Sequence, residues 1–154
     1  MNFIIILCAK YLFIVIGLIA FIYWLKLTNK RKLEIITFGI ITALVAFLLA
    51  KIGGAMFYNA RPFVVNNIVP LLPHAADNGF PSDHTLFSAV IAVTMYSVSK
   101  KLGLILGVLS VIVGMSRVLA LVHHPIDIVG SIVFAIIGGV VAYYLTPKIM
   151  RIRS

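Results

Sequence analysis

The chain has 154 residues, of which 62% are hydrophobic and only 11% charged. A soluble domain carries about 25% charged residues, so this composition excludes a water-soluble enzyme and points to an integral membrane protein. The net charge of +9 would suit nucleic acid, but the basic residues fall in short segments between apolar runs, a pattern of membrane topology that leaves no nucleic-acid surface.

Five apolar runs reach or approach the roughly 20 helical residues needed to cross a bilayer core. The first, Phe3–Leu25, has no basic segment before it and no small-residue cleavage site, so it reads as a span and not as a removed leader. It holds the one cysteine, Cys8, which excludes an internal disulfide. Lys10 in the same run is expected to snorkel to the interface. Lys26, Lys30, Arg31 and Lys32 separate it from the second run, Leu33–Phe57. A polar break, Tyr58–Pro81, follows. Its Pro62, Asn66, Asn67, Pro70, Pro73 and Gly79 disfavour a continuous helix. Inside the break Phe63–Leu72 stays apolar and is expected to lie on the membrane surface as a lid or lipid entrance. The third run, Ser82–Ser99, is the shortest. Lys100 and Lys101 lead into the fourth, Leu102–Ala120. A second break, Val122–Pro125, precedes the fifth, Ile126–Leu145, and the tail carries Lys148, Arg151 and Arg153. Apolar residues are continuous in each run and do not alternate, which argues against strands.

The expected architecture is therefore all-α: a single domain over residues 1–154, built as a polytopic bundle of about five transmembrane helices. The basic segments share one side of such a bundle, and the positive-inside rule makes that side cytoplasmic. The N-terminus is then outside, the C-terminus inside, and both polar breaks face outward from the plasma membrane. Membrane lipids are the expected surroundings. No feature of the sequence sets an oligomeric state.

Ionisable groups are costly in such a chain, so their positions are informative. His74, His84, His123 and His124 all fall in or beside the two breaks, as do Asp77, Asp83, Asp127, Arg61 and Arg117. Ser82 after Pro81 is a plausible N-cap, with Asp83 at the positive end of the helix dipole. Pro125 suits a first helical turn, with Asp127 close behind. Two helix N-termini on one face present free N–H groups to an anion. Two histidines and a carboxylate can supply a nucleophile, its orienting partner and a general acid. Arginine forks match phosphate oxygens.

The motifs are more specific than the composition. Arg61-Pro62, Pro81-Ser82-Asp83-His84, and Ser116-Arg117 with His123 and Asp127 at their spacing resemble the type 2 phosphatidic acid phosphatase superfamily. That family's patterns are Lys-x6-Arg-Pro, Pro-Ser-Gly-His and Ser-Arg-x5-His-x3-Asp. The stretch from Arg61 through Pro73-His74-Ala75-Ala76-Asp77 to Thr85 is similar to the bacitracin-resistance branch, the undecaprenyl-diphosphate phosphatases. The resemblance implies that His123 forms a phosphohistidine, Asp127 orients it, and His84 is the general acid. It implies that Arg61, Ser82 and Arg117 bind the phosphoryl oxygens, with no metal or other cofactor. The implied reaction converts undecaprenyl diphosphate to the monophosphate, recycling the carrier lipid of wall synthesis and conferring bacitracin resistance. Phosphatidylglycerophosphate or phosphatidic acid would satisfy the same phosphate chemistry. Two departures stand out. The first-motif lysine position is Gly54, with Lys51 one turn away, and the family's usual six spans are five here.

Other readings use the same residues. His84, His123, His124 and Asp127 could form a zinc site, although two arginines beside a metal would oppose it. A transporter or a lipid-phosphate binding module would use the basic pocket without catalysis. His124 is expected to be structural. His74 and Asp77 are expected either to select substrate from the lid or to be solvated loop residues.

Overall fold

The computed structural model describes residues 2–152, with side chains through Pro147. The expected tail charges Lys148, Arg151 and Arg153 lie outside the described side chains. The elements are α1 (Asn2–Leu25), α2 (Asn29–Met56), a single-turn α3 (Pro62–Val65), α4 (Asp83–Tyr96), α5 (Lys100–Leu119) and α6 (Pro125–Ile152). Helices are the economical answer for apolar chain in a bilayer, because every backbone group is satisfied within its own segment.

Four helices among the described residues are long and apolar enough to span: α1, α2, α5 and the Pro125–Pro147 part of α6. The expected third span is shorter than Ser82–Ser99. At 14 residues α4 is about 21 Å long at 1.5 Å per residue, short of a 30 Å hydrocarbon core. It runs from the site end to the α4–α5 turn as the central post of the bundle, packed against α1, α2, α5 and α6. More than half of α4 is buried, including Thr85, Leu86, Ser88, Ala89, Val90 and Ala92.

Small residues let the helices approach closely, as is usual where lipid removes the hydrophobic drive for association. A Cβ on Gly138 of α6 would strike the Thr42 carbonyl of α2. Three buried hydroxyls donate to carbonyls on their own helices. Thr42 donates to the Phe38 carbonyl at 2.9 Å, Thr94 to Val90 at 2.7 Å and Ser116 to Ile112 at 2.8 Å. These polar atoms therefore carry no unpaired cost inside the bundle.

The chemistry collects at one end. There α2 stops, α4 and α6 start, and α5 stops. The loop between α2 and α4 folds back over this end. Its Leu72 packs with Ala9 of α1, Ala120 and Val122. Two backbone bonds, Phe63 N–H to the Leu121 carbonyl and Leu71 N–H to Ala120, tie it to the end of α5. Val64, Val65, Ile68 and Val69 remain exposed on it, Val69 at 91%. The loop is thus an anchored flap with an apolar tip. The basic residues Lys26, Lys30, Arg31, Lys32, Lys100 and Lys101 lie at the other end, around the α1–α2 and α4–α5 turns.

Candidate active site

α5 ends in a Schellman turn, with Leu121 in the left-handed region at φ 65°. Val122 N–H bonds the Arg117 carbonyl at 3.2 Å and Leu121 N–H bonds Val118 at 2.9 Å, the paired 6→1 and 5→2 bonds of that motif. This turn reverses the chain and delivers His123 beside the start of α6. There Pro125 occupies the first helical position and Asp127 the third. The Asp127 Oδ2 reaches back to accept the His124 N–H at 2.8 Å, half of a capping box. Asp127 is therefore fixed by the helix start before it meets His123.

His123 is 2% exposed and Asp127 fully buried. The His123 Nδ1 lies 2.9 Å from the Gly79 carbonyl oxygen and 3.3 Å from Asp127 Oδ2. A carbonyl can only accept, so Nδ1 carries the proton and the lone pair of the neutral ring is on Nε2. The Gly79 contact is the shorter, so the expected orienting role of Asp127 is shared with a main-chain oxygen. Arg61 Nη1 approaches Nε2 at 3.3 Å, long for a hydrogen bond. Asp127 Oδ1 accepts from Asn59 Nδ2 at 2.7 Å. Burial holds His123 below the ordinary imidazole range; Arg117 and Arg61 push the same way and Asp127 opposes them. The ring is neutral at pH 7, with its lone pair available.

Arg61 departs from expectation. Its Nε donates to Asp77 Oδ1 at 2.8 Å, Nη1 to the Val122 carbonyl at 2.7 Å, and Nη2 to the Asn78 carbonyl at 3.2 Å. With the Nη1 contact to His123, one N–H of the five is left over. In this state Arg61 is a clamp between flap and site more than an anion receptor. Asn78 completes the clamp. It donates to the Gly54 and Phe57 carbonyls at 2.8 and 3.0 Å and accepts from Asn59 N–H at 2.9 Å.

Arg117 is the reverse case. It is 4% exposed, its buried Nε has no hydrogen-bond partner, and its guanidinium makes no hydrogen bond among the described residues. Ser82 occupies the N-cap position of α4 but makes no side-chain cap bond, correcting its expected capping role. Its hydroxyl instead accepts from Thr85 Oγ1 at 3.1 Å, and its carbonyl accepts from Ser131 Oγ at 2.9 Å. The first-turn N–H groups of α4 are thus left for an anion. His84, on that first turn, is half-buried with its ring edge-on to Phe13 at 4.8 Å. His124 serves structure, donating from Nε2 to the Ala60 carbonyl at 3.1 Å.

Lys51 is exposed and the position of the family lysine, Gly54, faces the Phe80 carbonyl. The zinc set does not assemble: among the described residues no three His, Cys, Asp or Glu side chains converge as metal ligands. Sequence reasoning missed Asn59, Asn78 and Gly79. A polar or glycine residue in a loop carries no sign of the distant atom that it will bond.

The arrangement presents a buried, oriented imidazole, an unpartnered guanidinium, a second imidazole and a helix N-terminus around one point. That is the equipment for phosphoryl transfer. The comparisons agree. The PAP2 superfamily family model matches residues 10–151. The chain is 34% identical over 143 residues to "Bacitracin transport permease protein BcrC" of Bacillus licheniformis, covering 92% of this chain and 69% of that protein. It is 32% identical over 130 residues to "Undecaprenyl-diphosphatase BcrC" of Bacillus subtilis, covering 84% of this chain and 67% of the relative. It therefore spans about two thirds of the length of these relatives. Among solved structures it is similar to a transmembrane PAP2 type phosphatidylglycerolphosphate phosphatase from Bacillus subtilis. The TM-score is 0.56 and the identity 27%, over 97% of this chain and 76% of that one.

Proposed function

The chain belongs to the PAP2 superfamily and is a multi-pass membrane protein, and we propose that it removes the terminal phosphate of undecaprenyl diphosphate. The observation that carries this reading is His123: a buried, neutral imidazole whose Nδ1–H is held by Gly79 and Asp127, leaving Nε2 as the nucleophile. Nε2 attacks the terminal phosphorus. A nitrogen–phosphorus bond forms, the bond to the bridging oxygen breaks, and its electron pair leaves with the lipid monophosphate. The arriving phosphate offsets the charge of Arg117 beside His84 and favours the imidazolium, which gives that oxygen its proton. Water then attacks the phosphohistidine, His84 takes the water's proton, and inorganic phosphate departs.

Arg117, the Ser82 hydroxyl and the first-turn N–H groups of α4 meet the charge on the phosphoryl oxygens. The remaining Arg61 N–H joins them, and the substrate displaces the long Arg61 contact from Nε2. Asp127 stabilises the cation that forms on His123. No step calls for a metal or another cofactor. The basic α1–α2 and α4–α5 turns lie at the end away from the site, and by the positive-inside rule this supports a site that faces outward from the plasma membrane. In that position the enzyme recycles the wall-synthesis carrier and raises resistance to bacitracin.

The solved neighbour's phosphatidylglycerolphosphate supports a second reading, a broader lipid phosphatase. A permease, the activity in the B. licheniformis relative's name, would have no use for an oriented His123. Phosphate release by purified protein in detergent with EDTA decides between them, using undecaprenyl diphosphate, phosphatidylglycerophosphate and phosphatidic acid. Release from the diphosphate that is lost in His123→Ala is the expected result. Comparable release from the glycerolipids favours the broader enzyme. Release that persists in His123→Ala, or that EDTA abolishes, overturns the mechanism.

A further inference from the structure

His74 is a partly buried imidazole that the mechanism does not use. It sits on the flap between α3 and α4, with its ring 6.1 Å from that of His123 and nearly perpendicular to it. Its Nδ1 is buried and makes no hydrogen bond. The nearest carboxylate oxygen, Asp77 Oδ1, is 3.9 Å away, beyond hydrogen-bond reach, and is already taken by Arg61 at 2.8 Å. Buried polar atoms are nearly always paired, so such an exception asks for a ligand. The buried Arg117 Nε is a second exception at the same site.

These two unpartnered nitrogens come from different elements, one from the end of α5 and one from the flap, and both adjoin His123. A single phosphoryl group is already served by Arg117, Ser82 and the start of α4. We propose that His74 binds the second phosphate of a diphosphate substrate, the one that leaves with the lipid, and so makes the site selective for diphosphates over monophosphates. The inference rests on the phosphatase reading above and narrows its substrate class.

The electrostatics suit the role. Arg61, Arg117 and His123 act on the ring, and Asp77 lies 3.9 Å from its Nδ1. Burial comes first in holding His74 below the ordinary imidazole range, followed by the two arginines, while a nearby Ala75 backbone group acts against them. In the free protein the ring is neutral. An arriving phosphate offsets the arginine charges and favours the imidazolium, which then makes a charge-assisted bond to a phosphate oxygen.

The test compares wild type with His74→Ala and His74→Gln. Two readouts are needed: kcat/KM on farnesyl diphosphate and on phosphatidic acid, and the thermal shift given by inorganic pyrophosphate and by inorganic phosphate. Both variants are expected to lose about 10- to 100-fold in kcat/KM on the diphosphate, the worth of one charge-assisted bond, and under threefold on phosphatidic acid. Wild type is expected to be stabilised more by pyrophosphate than by phosphate, and the variants equally by both. An equal loss on both lipids places His74 on the attacked phosphate and overturns the proposal, as does no loss on either. If wild type turns over neither lipid, the phosphatase reading fails. The pyrophosphate preference and its loss in the variants still decide the role of His74.

Discussion

Replacing Arg117 by methionine separates what this residue does for stability from what it does for binding. Arg117 is 4% exposed and its Nε has no partner, so in the free protein it is a desolvated cation facing Arg61, offset in part by the Asp83 carboxylate and by no hydrogen-bonded counter-ion. Methionine fills a similar length of space without charge and adapts to irregular gaps. Removing one buried, unsatisfied donor recovers about 1–3 kcal/mol. For a chain of this size about 1 kcal/mol moves Tm by roughly 2–4 °C, so Arg117→Met is expected to melt a few degrees higher in detergent. Activity should move the other way: losing a donor aimed at the developing charge costs about 10²–10³ in kcat. Orthovanadate links the two effects. At 100 times its Kd it stabilises wild type by about 2.7 kcal/mol and should leave the variant's Tm unmoved. Thermal unfolding with and without vanadate, beside phosphate release, reads all three. A Tm lowered by several degrees, or an undiminished vanadate shift, would show Arg117 to be a structural prop and refute the argument.

Two further outcomes follow from the geometry. Gly79→Ala places a Cβ 3.0 Å from both the Asn59 carbonyl and Asp127 Oδ2. The neighbours must yield by a few tenths of an ångström, at an overpacking cost of about 1 kcal/mol. Because Gly79 also holds His123, kcat/KM is expected to fall about tenfold or more; wild-type activity would sink the assigned role of its carbonyl. The second outcome concerns pH. His123 and His74 are both held below 6.5 by burial, so between pH 6.5 and their folded-state values the unfolded chain binds more protons. Stability should therefore fall as pH drops below 6.5, and less so in His123→Gln. A Tm that is flat or rises towards pH 5 would contradict the buried, neutral assignment.

The parts of this protein that follow from local chemistry were legible in its sequence. Apolar runs define membrane helices because lipid leaves the backbone no other partner. Pro125 and Asp127 mark a helix start because the first turn needs an acceptor and tolerates a missing N–H. Since His123 precedes that start by two residues, its pairing with Asp127 is local too. Motif spacing carried the family, and length carried the warning that Ser82–Ser99 was the weakest span.

Tertiary structure decided the rest. The His123 tautomer is set by Gly79, 44 residues away, through a carbonyl that every residue possesses. Asp127 is held by Asn59, 68 residues distant. Arg61 and Arg117 look alike in the sequence, yet one is spent on Asp77, Val122 and Asn78 while the other is left unpartnered. The flap's return over α5 makes that difference, and it also sets His74 beside His123. The sequence determines which groups are present and which helix ends they occupy. Only the packing of those ends decides which donors the protein consumes and which it keeps for a ligand, because each contact joins segments whose local patterns carry no record of one another.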